Sequence, residues 1–353
     1  MIDVVSLAKN RILVLDGAMG TMIQTYRLTE EDYRGERFKS HDHDIKGNND
    51  ILSITRPDII EAIHTSYLEA GADIIETNTF SGTPISQADY NLQDICYELN
   101  FEAAKVARNA VDKYLSSHPG ESKFVAGSIG PTNKTASMSP DVNRPEFRSI
   151  TFDELVSAYT IQIQGLIDGG VDILLIETIF DTLNCKAAIY AIESIKESLN
   201  IDIPVMISGT VTDASGRTLS GQTVEAFFIS VLHAKPISIG LNCALGPKEL
   251  KPYLESLSHI SDGLISVYPN AGLPNEFGGY DLSPQAMQTY IKDFAVSGLV
   301  NFVGGCCGTT PDHIRAMAEA VKGIPVRSSQ SKSKLSMYSG LEPLILRENL
   351  NFV

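Results

Sequence analysis

The chain has 353 residues, a length that fits either one large α/β barrel or two smaller domains. It carries 43 acidic and 28 basic side chains, and the acidic residues are scattered, which argues against binding to nucleic acid or to an anionic membrane through bulk charge. No stretch approaches the roughly 20 apolar residues of a membrane span, and the first residues lack the basic region of a secretion signal. We therefore expect a cytoplasmic protein.

Eight short apolar runs predict eight strands. Each run is nearly continuous in Val, Ile and Leu and closes on Gly or a small polar residue, a pattern typical of parallel strands buried on both faces. In chain order the runs cover residues 12–17, 72–79, 124–131, 172–179, 204–210, 237–243, 264–270 and 301–307.

Helical patterns lie between these runs. Thr151 begins one helix, with Glu154 three residues later as in a capping box. Others are predicted over 57–71, 283–298 and 310–323. The alternation of strand and helix predicts a (β/α)8 TIM-type barrel, which commonly needs about 250 residues or more. A doubly wound open sheet is the alternative, and eight units rather than five or six favour the barrel.

Two long connections, 21–56 and 131–151, leave the carboxyl ends of predicted strands. In a barrel this end carries the active site, so we expect these loops to wall the site or to dock a partner. The barrel domain is predicted to span residues 1–323. Residues 324–353 begin as a Ser/Lys-rich linker, and this tail is expected to lead towards a following domain or to fold back on the barrel.

Three of the five cysteines fall at predicted strand ends. Cys243 closes the sixth strand, and Cys306 and Cys307 close the eighth. These strands are two apart around a barrel, so the side chains can converge. Glycines on both sides of the vicinal pair allow both thiols to turn inward. Three thiolates suit Zn2+, which prefers soft ligands in tetrahedral geometry, and a fourth position left open indicates a catalytic site.

The chemistry that such a centre favours is alkyl transfer to sulfur. Three thiolates cancel the charge of the zinc ion, while a substrate thiol bound there loses its proton and keeps its nucleophilic electron density. A vicinal disulfide between Cys306 and Cys307 is the alternative, but it leaves Cys243 unexplained. Cys96 and Cys185 lie in helical patterns and are predicted to be core residues.

Other strand ends supply polar groups. Asp16 and the Gly-rich turn 17–20 follow the first strand, and such a turn can direct backbone N–H groups at a carboxylate. Glu76 and Glu177 occupy equivalent strand-end positions, where a carboxylate can hold an ammonium group or serve as a structural acid. Asn270 can offer an oxygen to a metal or simply form a turn.

Several of these segments together resemble a known family. They are similar to the N-terminal homocysteine-binding domain of cobalamin-dependent methionine synthases, within the homocysteine S-methyltransferases, over about residues 10–345. The segments are LDGAMGTMIQ, KGNND, AGADIIETNTF, GPTNKTASMSPDVN, ISGTVTDASGRTLSGQ, GLNCALGP, VGGCCGTTPDHI and SGLEPL.

The resemblance implies a zinc ion held by Cys243, Cys306 and Cys307, the catalytic centre, with the homocysteine thiolate as incoming ligand. It also implies that Asn270 fills the fourth zinc position before substrate arrives.

The resemblance further implies how the rest of homocysteine is bound. Asp16 and Glu177 are expected to hold its amino group. The backbone of Gly17, Ala18 and Met19 is expected to hold its carboxylate.

Methylcobalamin is the implied methyl donor, and methionine the implied product. The folate, cobalamin and activation modules of the family do not fit in this chain, so we expect a fragment or one subunit of a split enzyme. A homocysteine methyltransferase that uses betaine or S-methylmethionine is the alternative enzyme. A hypothesis of another class is a non-catalytic zinc or amino-acid-binding module, which would not keep an open coordination position.

Overall fold

The eight apolar runs form eight parallel strands around a barrel. The computed structural model describes residues 3–212, 215–276, 278–328 and 335–347. Hydrogen-bonded pairs run in the order β1-β8-β7-β6-β5-β4-β3-β2, and a bridge between Leu15 and Ile74 joins β1 to β2 and closes the ring. The strands are β1 Leu13–Val14, β2 Ile74–Glu76, β3 Phe124–Ile129, β4 Ile173–Ile179, β5 Val205–Gly209, β6 Ser238–Asn242, β7 Leu264–Tyr268 and β8 Phe302–Val303. The predicted (β/α)8 barrel is confirmed.

Helices cover the outside of the barrel. Thr151 and Glu154 form the predicted capping box, in which each backbone N–H donates to the side chain of the other residue. The helices are α1 Val4–Ala8, α2 Met19–Thr25, α3 Glu30–Arg34, α4 Leu52–Thr55, α5 Pro57–Glu69, α6 Pro84–Gln87, α7 Cys96–Ser117, α8 Phe152–Asp168, α9 Thr182–Leu199, α10 Val224–Val231, α11 Pro247–Ile260, α12 Pro284–Val296 and α13 Pro311–Val321. Within the described ranges, no helix is long and apolar enough to cross a membrane.

The barrel interior changes from apolar to polar along the strands. Leu13, Ile74, Leu175 and Phe302 belong to one buried apolar cluster inside the ring. Side chains alternate along a strand, so the next inward position after Ile74 is Glu76, and the next after Leu175 is Glu177. The strands therefore place carboxylates above an apolar floor, at the carboxyl end of the barrel.

The two long connections behave differently. The first folds into short helices and lines the cavity at the carboxyl end through residues such as Asn49 and Asp50. The second contributes no residue to that cavity. Instead the N–H of Ala136 donates to Asn184 Oδ1 at 2.9 Å, so this loop rests on the start of α9. The expectation that it walls the site is wrong, and partner docking by it stays a prediction.

The described part of the tail folds back on the barrel. Strands β9 Met337–Ser339 and β10 Pro343–Ile345 form an antiparallel hairpin. It rests against α10, because the N–H of Thr223 donates to the carbonyl of Leu341 at 3.0 Å and the hydroxyls of Ser230 and Ser339 lie 2.7 Å apart. Residues 329–334 and 348–353 lie outside the described residues. The division into a barrel and a linker towards another domain stays a prediction.

Candidate functional site

The three strand-end cysteines form one cluster. Their sulfur atoms all lie within 4.8 Å of one another, and the Sγ atoms of Cys243 and Cys307 are 3.8 Å apart. Cys243 and Ala244 have positive φ angles of 59° and 55°, which turn the chain sharply at the end of β6. All three thiols are free, so the vicinal disulfide alternative does not describe this structure. Cys96 and Cys185 are buried in α7 and α9, as predicted.

This cluster fits a zinc ion in two respects. Tetrahedral zinc with Zn–S bonds of about 2.3 Å requires sulfur atoms about 3.8 Å apart, as found between Cys243 and Cys307. Asn270 supplies the second observation. Its Oδ1 is buried and has no hydrogen-bond partner within the described part of the chain. Its N–H donates to the carbonyl of Leu245, two residues after Cys243, so the backbone of Asn270 is tied to the cysteine turn.

Mutual hydrogen bonding shifts the pKa values of Cys306 and Cys307 in opposite directions. Hydrogen bonds from Cys243 and Cys306 lower the pKa of Cys307 to about 3. The pKa of Cys306 lies well above its usual range because its thiol donates to both other sulfurs and is buried. A cation bound there would stabilise thiolates in the cluster.

Three carboxyl groups lie beside the cysteines. Asp16 and Glu177 are only 3% and 5% exposed, and Glu76 is partly buried. Asp16 Oδ2 accepts the N–H of Glu76 at 3.0 Å, whereas Oδ1 has no partner among the described residues. Ser128 donates its hydroxyl to Glu177. Burial raises the pKa of all three groups, to about 7 for Glu177 despite the bond from Ser128.

These groups share one cavity of about 670 Å³. The described residues that line it include four carboxyl groups and three thiols, and none of them is Lys, Arg or His. Buried negative charge is costly without a positive partner. The cavity is therefore built to receive cations, and a metal ion at the thiols with an ammonium group at the carboxylates meets that need.

The turn after β1 is fastened to the cysteine loop. The N–H of Ala18 donates to Thr309 Oγ1 at 3.1 Å, and the Tyr67 hydroxyl donates to the carbonyl of Ala18 at 3.2 Å. A Cβ atom at Gly17 would lie 2.8 Å from Thr309 Oγ1, so glycine permits this contact. The Ala18 amide is thus already engaged. Those of Gly17 and Met19 make no hydrogen bond in the described ranges.

Residues that sequence reasoning missed complete the site. Ser128 bonds to Glu177, and its inward position on β3 follows from strand alternation, which is a signal that was available. Tyr268 and Tyr280 line the cavity. The Tyr268 hydroxyl is buried and has no partner among the described residues. Tyr280 lies in an irregular loop, where no periodic pattern marks it.

Comparison with known proteins identifies the family of this chain. The family model "Homocysteine S-methyltransferase" matches residues 13–321. Crystal structures of the homocysteine methyltransferase MmuM from Escherichia coli share the fold. The metallated form has a TM-score of 0.68 at 23% identity, and the oxidized form 0.69 at 21%; each alignment covers 89% of this chain and 97% of the other. The predicted family is confirmed: the chain belongs to the homocysteine S-methyltransferases and is a methyltransferase that acts on homocysteine.

Proposed function

We propose that this chain activates homocysteine at a zinc ion held by Cys243, Cys306 and Cys307, and that methylcobalamin donates the methyl group to give methionine. The observation that carries the zinc assignment is the cluster of three thiols within 4.8 Å of one another, in which the Sγ atoms of Cys243 and Cys307 have the spacing of tetrahedral zinc ligands. When bound, zinc lowers the pKa of the substrate thiol, so that sulfur becomes a nucleophile near neutral pH.

The chain's own residues keep one coordination position available. Three cysteines provide three ligands, and Asn270 Oδ1 is the fourth acceptor before substrate arrives. A neutral amide oxygen would be a weaker zinc ligand than a thiolate, so this position would remain open to the homocysteine sulfur.

The opposite end of homocysteine is assigned to the acidic group and the first turn. Asp16 Oδ1 and Glu177 accept hydrogen bonds from the substrate ammonium group, and Asp16 Oδ1 is available because nothing else in the described chain bonds to it. The amides of Gly17 and Met19 donate to the substrate carboxylate. The Ala18 amide supports the turn through Thr309 instead, which changes the role expected for it.

The donor assignment is supported by sequence. The segments KGNND, SPDVN and SGLEPL resemble methionine synthases, whose folate, cobalamin and activation modules would be partners of this barrel. Hydrogen bonds join the SGLEPL segment to the barrel, since Gln222 Nε2 donates to the carbonyl of Gly340 at 2.8 Å. Betaine and S-methylmethionine are the competing donors.

Metal analysis and product formation test this proposal together. Zinc-loaded protein is incubated with homocysteine and, separately, with methylcobalamin, S-methylmethionine or betaine, and methionine is quantified. We expect about one zinc per chain and methionine only from methylcobalamin, at high donor concentration because a donor free in solution lacks the proximity of one held beside the sulfur. Turnover with another donor would contradict the donor assignment, and no turnover with any donor would favour a non-catalytic binding module.

Matched cysteine variants link the metal to the reaction. Cys243→Ser, Cys306→Ser and Cys307→Ser should each lose zinc and reduce the rate at least about a thousandfold, since a hydroxyl is a poor zinc ligand. Cys96→Ser is the control, because that thiol is buried in α7 and should leave zinc content unchanged. Full zinc retention in any of the three site variants would contradict the ligand assignment.

A further inference from the structure

Strand β4 carries one extra residue where it reaches the cavity. Three residue steps from Ile176 to Ile179 lie opposite only two steps of β5, so the register shifts between them. The side chains of successive residues in a regular strand point to opposite faces, yet both Glu177 and Thr178 line the cavity. A β-bulge of this kind redirects side chains and is common beside active sites.

The second residue of this bulge has an unfavourable backbone conformation. Thr178 has a φ of 53°, in the left-handed region that a β-branched residue rarely adopts. Such a conformation costs free energy and persists only where the surrounding structure holds it, which occurs mostly at functional sites. The bonds made to Thr178 are therefore the ones that keep the bulge in place.

Asn242, the last residue of β6, makes those bonds. Its side chain is fully buried, its Oδ1 accepts the N–H of Thr178 at 3.1 Å, and its Nδ2 donates to Thr178 Oγ1 at 2.8 Å. Ser208 on the intervening strand β5 donates its hydroxyl to the same Oδ1 at 2.7 Å. No other side chain among the described residues bonds to Thr178. The amide of Asn242 thus joins β6 to the bulge of β4 across β5.

Asn242 also immediately precedes the first cysteine of the cluster. Its carbonyl accepts the hydroxyl of Thr210 at 3.0 Å, and the N–H of Cys243 donates to the carbonyl of Tyr268 at 3.3 Å. These backbone bonds hold the cysteine end without help from the Asn242 side chain. One residue therefore connects the thiol cluster, through its backbone, with the carboxylate of Glu177, through its side chain.

We propose that Asn242 is a positioning residue, whose side chain holds the bulge of β4 and thereby sets the place of the Glu177 carboxylate relative to the Cys243 sulfur. This inference rests on the proposed function, in which these two residues serve opposite ends of homocysteine. A ligand with a fixed number of carbons between its thiol and its ammonium group engages both ends only if their separation is right. Without the amide, Thr178 can leave its strained conformation, and Glu177 moves with it.

Asn242→Ala removes both bonds to Thr178 and tests this role. The zinc-loaded unmodified chain and the variant are titrated calorimetrically with homocysteine and with 4-mercaptobutanoate, which lacks the amino group. We expect about tenfold weaker binding of homocysteine by the variant and a change of less than about twofold for 4-mercaptobutanoate, because only homocysteine uses Glu177. Zinc content should be unchanged, since the three thiols and the backbone bonds of Cys243 remain.

Asn301→Ala is a matched control at the opposite end of the barrel. Asn301 is equally buried, its Oδ1 accepts the N–H of Ile265 at 3.0 Å, and its Nδ2 donates to the carbonyl of Arg327 at 3.2 Å. Both asparagine variants should therefore unfold at lower urea concentration than the unmodified chain. Only Asn242→Ala should lose its preference for homocysteine over 4-mercaptobutanoate, which separates positioning from general loss of stability.

The possible outcomes separate this inference from the proposed function. Unchanged homocysteine affinity in Asn242→Ala, or an equal loss for both ligands, would overturn the role of Asn242 and leave the proposed function intact. If this variant does not fold, Thr178→Val replaces it, because valine keeps the shape of threonine and removes the acceptor of Asn242 Nδ2. We expect about threefold weaker homocysteine binding by Thr178→Val, and an unchanged affinity would overturn the role. If the unmodified chain binds both ligands alike, the assignment of Glu177 in the proposed function fails, and the role of Asn242 fails with it.

Discussion

Two sets of buried polar groups, one at each end of this barrel, differ in whether they have hydrogen-bond partners. At the amino end, Asp73 accepts two hydrogen bonds from Arg11, at 2.7 and 2.8 Å, and one from the N–H of Val14 at 3.0 Å. Lys123, with a side chain only 5% exposed, lies 3.7 Å from the same carboxylate. At the carboxyl end, Asp16 Oδ1 and Asn270 Oδ1 are buried without a partner in the described structure.

This difference separates stability from function within one fold. Satisfied polar groups hold the strands together, whereas buried acceptors without partners cost free energy and are retained where a ligand completes them. The carboxyl end also carries the positive φ angles of Cys243 and Ala244, which is local backbone strain at the proposed metal centre. Mutations at the amino end should therefore change stability alone, and mutations at the carboxyl end should change binding first.

The largest expected effect is at the amino end. Asp73→Asn removes the charge that Arg11 and Lys123 share and leaves the buried Lys123 with the ion pair to the partly exposed Glu121, at 3.2 Å. Breaking a buried pair costs roughly 3–5 kcal/mol, and we expect about 3 kcal/mol because Arg11 is half exposed. Urea unfolding measures the loss. Folded protein should bind homocysteine with unchanged affinity. A weakened affinity would contradict the proposal that the amino end affects stability alone.

A smaller effect on stability is expected at the cavity wall. Asp50 is 6% exposed, and burial raises its pKa to about 6, although its Oδ1 accepts the N–H of Ser81. A carboxyl group with a raised folded-state pKa favours folding below its unfolded pKa near 4, and this contribution is lost as pH rises through 6.

Asp50→Asn keeps an acceptor for Ser81 and removes the titration. Its stability relative to the unmodified chain should therefore increase by about 2 kcal/mol between pH 4 and pH 7. Unfolding curves of both proteins at several pH values measure this difference. A difference that does not change with pH would show that Asp50 is not a buried acid of this kind.

The smallest expected effect is on the affinity for homocysteine. Glu177→Gln removes one of the two carboxylates assigned to the substrate ammonium group, while Asp16 remains. We expect a loss of about 1.5 kcal/mol, or roughly tenfold in affinity, with zinc content unchanged. Calorimetric titration measures it, and the deaminated analogue 4-mercaptobutanoate is the control ligand, which should bind both proteins alike. Equal homocysteine affinities of Glu177→Gln and the unmodified chain would show that Glu177 does not bind the substrate amino group.

Much of this site could be predicted because barrel topology converts sequence position into spatial position. The ends of the sixth and eighth apolar runs lie near each other around the ring, so the sequence predicts the convergence of Cys243, Cys306 and Cys307 that the structure shows. The same rule predicted that Asp16 and Glu177 would share their cavity. Continuous apolar runs were sufficient to predict the eight strands, because parallel strands are buried on both faces.

Other features depend on contacts between distant or irregular segments. The engagement of the Ala18 amide by Thr309 joins residues 291 positions apart, and no local pattern encodes it. Tyr280 lies in an irregular loop whose course is set by hydrogen bonds to the cysteine loop. For the same reason, the sequence did not show that the 131–151 connection runs away from the cavity. Its direction is decided by bonds to α9, such as that of Ala136 with Asn184.

Proton release on homocysteine binding tests the central claim most directly. Calorimetric titrations of the zinc-loaded protein in buffers of different ionisation enthalpy count the protons exchanged. A thiol with an ordinary pKa of about 8.5 becomes a bound thiolate, so we expect close to one proton released per homocysteine near pH 7. Zinc removal should abolish this release. Binding without proton release, or an unchanged release after the zinc is removed, would contradict activation of homocysteine by a zinc ion at these three cysteines.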